Sequence, residues 1–169
     1  MRIAKTFLIA ALATTGLTAA AVAQTAAAPQ TIGVARAVAA AEQATGGRAF
    51  EADLDTERGV LVYEIDLVKD GRPMEATIDA TSGQVIRQTQ PAKLRLPFGQ
   101  EDLKAAQTAP RTLSETIAAV EAATKGRVTD IGLEREGGRH YYEVELAGAQ
   151  DREVRVDLRT GAISPVIDD

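Results

Sequence analysis

The sequence has no cysteine, no tryptophan and a single histidine, and aromatic residues make up only 4% of it. Without cysteine no disulfide can form, so stability has to come from packed apolar surface. One histidine and no cysteine leave almost no means of building a zinc site, and nothing else in the inventory calls for a cofactor. Serine is scarce too: Ser82, Ser114 and Ser164 are the whole supply. A nucleophile needs a base beside it, and the residues for such a pair are missing, so neither a catalytic residue nor an enzyme activity is expected. Positive charge is in deficit as well. Lys and Arg number 19 against 24 Asp and Glu, a formal net charge of −5, which argues against nucleic acid or anionic lipid as the main partner.

Long apolar runs are absent after the N-terminus, where residues 6–22 carry no charge. This run follows Arg2 and Lys5 and ends in Ala21-Val22-Ala23, a small-x-small site before Gln24. That is the layout of a cleaved secretory signal over residues 1–23. A retained anchor is the weaker alternative, because the run is rich in Ala and Thr and poor in bulky residues. No later segment approaches the ~20 apolar residues a spanning helix needs. Cleavage would leave 146 residues, take the net charge from −5 to −7 by removing Arg2 and Lys5, and place the mature chain in the periplasm or outside the cell. Residues 24–30 read as a disordered lead-in.

What is present is a repeat. Glu42-Gln-Ala-Thr-Gly-Gly-Arg48 superposes on Glu121-Ala-Ala-Thr-Lys-Gly-Arg127, 79 positions on. The same offset aligns Leu54 with Leu133, Tyr63-Glu64 with Tyr142-Glu143, and Leu67 with Leu146. One residue is then lost near "KDGRP", where a loop tolerates it, and Asp79 and Gly83 meet Asp157 and Gly161. The units are residues 31–86 and 112–169, with 87–111 as a linker.

Each unit opens with a helical pattern. Val34, Val38, Ala41 and Ala44 recur at helical spacing after Thr31, a candidate N-cap; Leu113, Ile117, Val120 and Ala123 do so after Thr112, which with Glu115 writes a capping box. Gly46-Gly47 and Gly126 stop the helices. Alternating strands follow, with Leu61, Tyr63, Ile65 and Leu67 facing one way and Val62, Glu64 and Asp66 the other. Asp-x-x-Ser/Thr-Gly then closes a turn twice: the carboxylates of Asp79 and Asp157 accept backbone N–H bonds, and Gly83 and Gly161 take the positive-φ position. The fold class is α+β: two tandem repeats, each an N-terminal helix packed on a three- to four-stranded antiparallel sheet whose other face is polar. Within the linker, "PAKLRLPF" at 91–98 can add an edge strand or pack between units, and "GQEDLKAAQTAP" can hold one or two helical turns.

The motifs Tyr63-Glu-Ile-Asp-Leu67 with Ile78-Asp-Ala-Thr-Ser-Gly-Gln-Val85, and Tyr142-Glu-Val-Glu-Leu146 with Val156-Asp-Leu-Arg-Thr-Gly-Ala-Ile163, resemble the PepSY domain. The resemblance covers both units. It implies a non-catalytic module of the kind found in propeptides of secreted metallopeptidases and in bacterial envelope proteins. It also implies a protein partner, a peptidase or a membrane-associated envelope protein, that the module regulates or inhibits. No peptidase follows in this chain, so binding would be in trans.

The residues expected to meet that partner are Glu64, Asp66, Glu143 and Glu145, which share the outward parity. Asp79, Gly83, Asp157 and Gly161 are expected to be structural. His140 aligns with Leu61 and reads as a partly buried structural imidazole; Tyr63 and Tyr142 read as inward. Two other functions stay open, a small-ligand or metal-ion binder using the acidic faces and a structural assembly factor of the envelope.

Overall fold

The computed structural model describes residues 30–90, 99–147 and 152–166. The expected signal, most of the expected lead-in and the "PAKLRLPF" segment lie outside them. The first unit comprises α1 (Val34–Thr45), β1 (Arg48–Glu57), β2 (Val60–Lys69), β3 (Arg72–Asp79) and β4 (Val85–Thr89). After α2 (Gln100–Thr108) the second repeats it with α3 (Leu113–Thr124), β5 (Arg127–Glu136), β6 (Arg139–Ala147), β7 (Arg152–Asp157) and β8 (Ile163–Pro165). No helix among the described residues is long and apolar enough to cross a membrane.

The two expected sheets are one. All eight strands form a single antiparallel sheet in the order β4-β3-β2-β1-β5-β6-β7-β8, the units meeting where Ala52 of β1 pairs with Ile131 of β5. The reason is the first strand of each unit. Alone it would be an edge with unpaired N–H and C=O groups, and pairing the two removes both edges.

The helices lie on one face. Their Ala-rich sequences favour helix and let them approach the sheet closely: Val34, Ala37, Val38 and Ala41 of α1, and Leu113, Ile117 and Val120 of α3, are buried. They enter one core with Phe50, Ile65, Leu67, Ile78, Ile131, Leu133 and Val144, drawn from both units. Tyr63 and Tyr142 are in it, each 2% exposed.

The repeated Glu-x-x-Thr-x-Gly-Arg stretch is a joint. Glu42 Oε1 accepts the Ala49 N–H at 2.9 Å and Glu121 Oε1 the Val128 N–H at 3.0 Å, each fixing a strand start to the helix before it. Thr45 and Thr124 donate to the carbonyls of Ala41 and Val120, both at 2.8 Å, and accept the N–H of Gly47 and Gly126. The arginines then cross between units. Arg48 donates to Ala109 O and Arg111 O, both at 2.6 Å, ahead of α3; Arg127 donates to Thr31 Oγ1 at 2.7 Å, ahead of α1.

Two capping expectations are corrected. Thr31 does not cap α1. The N-cap is Gly33 at φ 87°, and the Thr31 hydroxyl meets Tyr63 and Arg127. The second helix stops on Lys125 at φ 57°, not on glycine, because the repeat puts Lys125 where Gly46 stands. The Thr112–Glu115 capping box forms with both bonds.

Lys125 is strained where Gly46 is not, so Lys125→Gly should stabilise the chain by about 0.5–1 kcal/mol, a thermal midpoint about 2–4 °C higher. An unchanged or lower midpoint contradicts that strain. The clamps differ in shelter: R48A should cost about 1–3 kcal/mol in denaturant unfolding, and R127A, whose bonds are exposed, under about 1 kcal/mol. Equal losses would show that the clamps do not act as described.

Candidate functional site

Each DxxS/TG corner is closed by its own carboxylate. Asp79 Oδ1 accepts from the N–H groups of Thr81 and Ser82 and from the Ser82 hydroxyl, the last two at 2.7 and 2.9 Å; Asp157 Oδ1 accepts from the Thr160 N–H and hydroxyl, both at 2.7 Å. These bonds hold both carboxyls below the usual range. Gly83 and Gly161 follow at φ 78° and 71°.

The corners and the seam set the register of the face the helices leave open, and register places its acids in two adjacent rows. In one, Glu64 of β2 stands opposite Asp53 of β1, Asp53 adjoins Asp130 of β5 one step along from the Ala52–Ile131 pair, Asp130 stands opposite Glu145 of β6, and Glu145 opposite Glu153 of β7. In the other, Glu75, Asp66 and Glu51 run from β3 to β1, then Gly132, Glu143 and Arg155 from β5 to β7. The first row crosses five strands and the second six, about 24 Å at the usual strand spacing. A groove lined by Glu51, Asp130, Gly132, Glu134, Glu143, Glu145 and Glu153 runs from the seam over the second unit.

Glu64, Asp66, Glu143 and Glu145 are therefore brought onto one surface, but not as equals. Glu143 pairs with Arg155 at 3.3 Å; Arg155 also reaches Glu136 at 3.0 Å and lies over the Tyr141 ring, 4.6 Å from its centroid. Glu145 is exposed and Glu64 and Asp66 half-buried. In the first unit Arg87 of β4 pairs with Glu57 at 2.9 Å and Glu75 at 3.6 Å, so an ion-pair strap crosses from β4 to β1. Val62, Val68 and Thr77 have the outward parity expected to be wet, yet all are buried, Thr77 without a hydrogen-bond partner for its hydroxyl.

At the centre of the rows, the Asp53 and Asp130 carboxyls come within hydrogen-bonding reach of each other across the seam. Burial first, then Asp53 beside it, pushes the Asp130 carboxyl up to about 9. The sequence shows both acids but not their meeting, which one cross-strand register creates. Among the described residues no three His, Asp or Glu groups converge as metal ligands.

His140 is partly buried at the start of β6, and its partner was not legible in sequence. Its Nε2 donates to Asp102 Oδ1 of α2 at 2.8 Å. Asp102 is 3% exposed; burial pushes its carboxyl up, but the Gly99 N–H, the His140 ring and Arg135 outweigh that and hold it below its usual value. A cleft of about 650 Å³ adjoins His140. The hydroxyls lining it, Thr108 and Thr160, are bonded to Lys104 O and Asp157 Oδ1, both groups outside the His–Asp pair.

Together these elements define a duplicated α+β module with helices on one face of a continuous sheet and ordered acids on the other. The chain belongs to the PepSY family: the profile described as "Peptidase propeptide and YPEB domain" matches residues 31–89 and again 112–164. Among solved structures it is similar to a "putative lipoprotein" of Clostridium difficile 630, with 15% identity, 73% of this chain and 83% of that chain covered, and a TM-score of 0.40. Comparison with curated proteins gave no match.

Asp130 generates a pH prediction. Its folded pKa lies above the ordinary 3.8 of an aspartate, so the folded chain keeps a proton that the unfolded chain releases, and the site's contribution falls as pH rises from about 4 towards about 9. D130N has no proton to lose. It should melt higher than the parent at pH 8, by about 1 kcal/mol once its partial exposure is discounted, and little higher at pH 4. Thermal melts at the two pH values check this, and equal shifts at both would rule out the retained proton.

Proposed function

We propose that this chain is an exported, non-catalytic binding module that regulates a protein partner in the bacterial envelope through the acidic rows of its open sheet face. The observation that carries the reading is the acid-on-acid register, relieved in the free chain by the proton that Asp130 keeps. Acids directly opposite one another weaken a sheet. Here four consecutive cross-strand pairs, from Glu64 through Asp53, Asp130 and Glu145 to Glu153, are acid against acid. Folding gains nothing from that alignment, whereas a cationic partner surface does. The partner is a protein with a basic patch long enough to follow both units. The family description names peptidase propeptides, which supports a peptidase, or a membrane-associated protein acting with one, as the thing regulated. Glu64 and Glu145 contribute charge to one row, Asp66 and Glu143 to the other, from the same two strands, and the turns of Asp79, Gly83, Asp157 and Gly161 hold the register. The signal over residues 1–23 supports a periplasmic or extracellular site of action.

A photo-crosslinking residue placed at Glu64, Asp66, Glu143 or Glu145 in living cells should capture one and the same protein. Placed at Ala122, exposed on α3, it should not. The double reversal D66K/E145K should weaken capture at least about tenfold, and the parent but not the reversed chain should slow the captured protein's peptidase activity. Equal capture from Ala122, or indifference to charge reversal, contradicts the reading. Calorimetry with calcium separates the alternative in which the rows hold ions, which absence of heat at submillimolar ion removes.

A further inference from the structure

The two units differ at one corner. In the first, the segment ahead of α1 lies against the β3–β4 turn. Ile32 N–H donates to Ala80 O at 2.8 Å, Ile32 Cδ1 sits 3.2 Å from where a Cβ on Gly83 would stand, and the Tyr63 hydroxyl reaches Thr31 Oγ1 at 3.0 Å. The repeat puts Pro110, Arg111, Leu158 and Gly161 in the places of Thr31, Ile32, Ala80 and Gly83. Pro110 has no hydroxyl to offer Tyr142. The Arg111 guanidinium takes Ile32's place over the turn glycine, 2.5 Å from where a Cβ would stand. The rest of the corner is kept: Leu158 N–H donates to His140 O at 3.1 Å, as Ala80 N–H does to Leu61 O at 3.0 Å. The bond from the lead-in is not kept. Among the described residues, Arg111 N–H makes no bond to Leu158 O. This lead-in is tied instead by Arg48 to Ala109 O and Arg111 O, and it stands off the corner. The gap is the 650 Å³ cleft, walled by Ala109 and Pro110 on one side, by Arg139 and His140 on a second and by Leu158 and Arg159 on a third.

This cleft is cationic in a protein of net charge −5. Arg139 and Arg159 line it, both are exposed, and neither forms an ion pair among the described residues. Asp157 also lines the cleft, its carboxylate tied into its own turn by Thr160 and beside Arg159, so two guanidinium groups face one carboxylate there; Asp102 is held by His140 and the Gly99 N–H. What remains is a backbone acceptor, Leu158 O, whose counterpart in the first unit receives an extended segment, with two guanidinium groups beside it.

We infer that this cleft binds a short extended peptide segment of a partner protein bearing a carboxylate, its backbone N–H on Leu158 O as Ile32 sits on Ala80 O, and its carboxylate against Arg139 and Arg159. The site is separate from the acidic rows, lying by the helix-side turns, and does not depend on them. Charge-assisted bonds from guanidinium to carboxylate are the strong class, which makes the acid the selective feature.

The test titrates the full chain with acetyl-Ala-Val-Ile-Asp carrying a free C-terminus, followed by NMR amide shifts. Saturable shifts are expected at Gly138, His140, Leu158 and Thr160. R139A/R159A should weaken binding at least about tenfold, as should replacing the peptide by acetyl-Ala-Val-Ile-Asn amide. The thermal midpoint of R139A/R159A should stay close to the parent's, since both side chains are exposed and neither forms a close ion pair, Arg159 acting on Asp157 only through a solvent-screened charge, so loss of binding is not loss of fold. No saturable binding at millimolar peptide, shifts confined to the acidic rows, or unchanged affinity in R139A/R159A would each overturn the inference. So would inorganic phosphate competing as well as the peptide, which would make the cleft a simple anion site. Failure here leaves the crosslinking result from the acidic face untouched.

Discussion

The pairing of β1 with β5 is the constraint on which the rest of the molecule depends. It turns two four-stranded ribbons into one sheet, yet its partnered register is a single residue pair, Ala52 with Ile131. So short a ladder cannot hold two bodies together through backbone hydrogen bonds alone, each worth only about 1 kcal/mol net. The joint is sustained from the helix side. Residues of both units share one core, α1 and α3 lie side by side, and Arg48 and Arg127 each tie the other unit's helix lead-in. The arginines sit at the ends of the strands that pair, so the contact that aligns the strands also sets the helices.

Duplication gave the two units the same parts, and a few substitutions made them do different work. Thr77 in the first unit corresponds to Arg155 in the second. The first unit therefore draws its neutralising cation from β4, as Arg87, while the second carries it within the sheet. Asp53 corresponds to Gly132, so one row keeps an acid at the seam and the other has a gap into which the groove extends. Ile32 corresponds to Arg111, and the turn glycine that meets an apolar side chain in one unit meets a guanidinium in the other, beside the open cleft. In the first two cases the backbone is kept between the units and the side chain decides the chemistry; at the corner the lead-in backbone bond is lost as well.

Legibility in the sequence followed the range of the interactions. The DxxS/TG turns, the Thr112–Glu115 box and the inward Tyr63 and Tyr142 depend on residues a few positions apart or on strand parity, and both are written in the local pattern. The single sheet was not legible. Nothing in the alternation of residues 48–57 distinguishes an edge from a strand with two neighbours, and one pair, Ala52–Ile131, makes the difference. Thr31 reads as a cap because its identity suits one; its hydroxyl was claimed by Tyr63 and Arg127 from far along the chain. Asp102 was hidden for the same reason, lying in a linker 38 residues before the histidine it holds. At the candidate site the four acids were readable as a set, since parity alone puts them outward. That Glu143 is engaged by Arg155, and that Asp53 and Asp130 meet, required the register between strands.

The register also explains why two units are needed rather than one used twice. Neither acidic row exists within a single repeat. Glu64 and Asp53 come from the first unit, Asp130, Glu145 and Glu153 from the second, and the row is continuous only because β1 and β5 adjoin. An isolated unit would present about half the strip and would leave its first strand as an open edge. The like-charge alignment therefore arises at the same seam that completes the sheet, and its penalty is greatest there, where Asp130 keeps its proton. A basic surface laid along the strip would relieve that penalty and allow the proton to leave, so binding and proton release are coupled by linkage. The stability lost to acid facing acid in the free chain becomes, in a complex, part of the affinity.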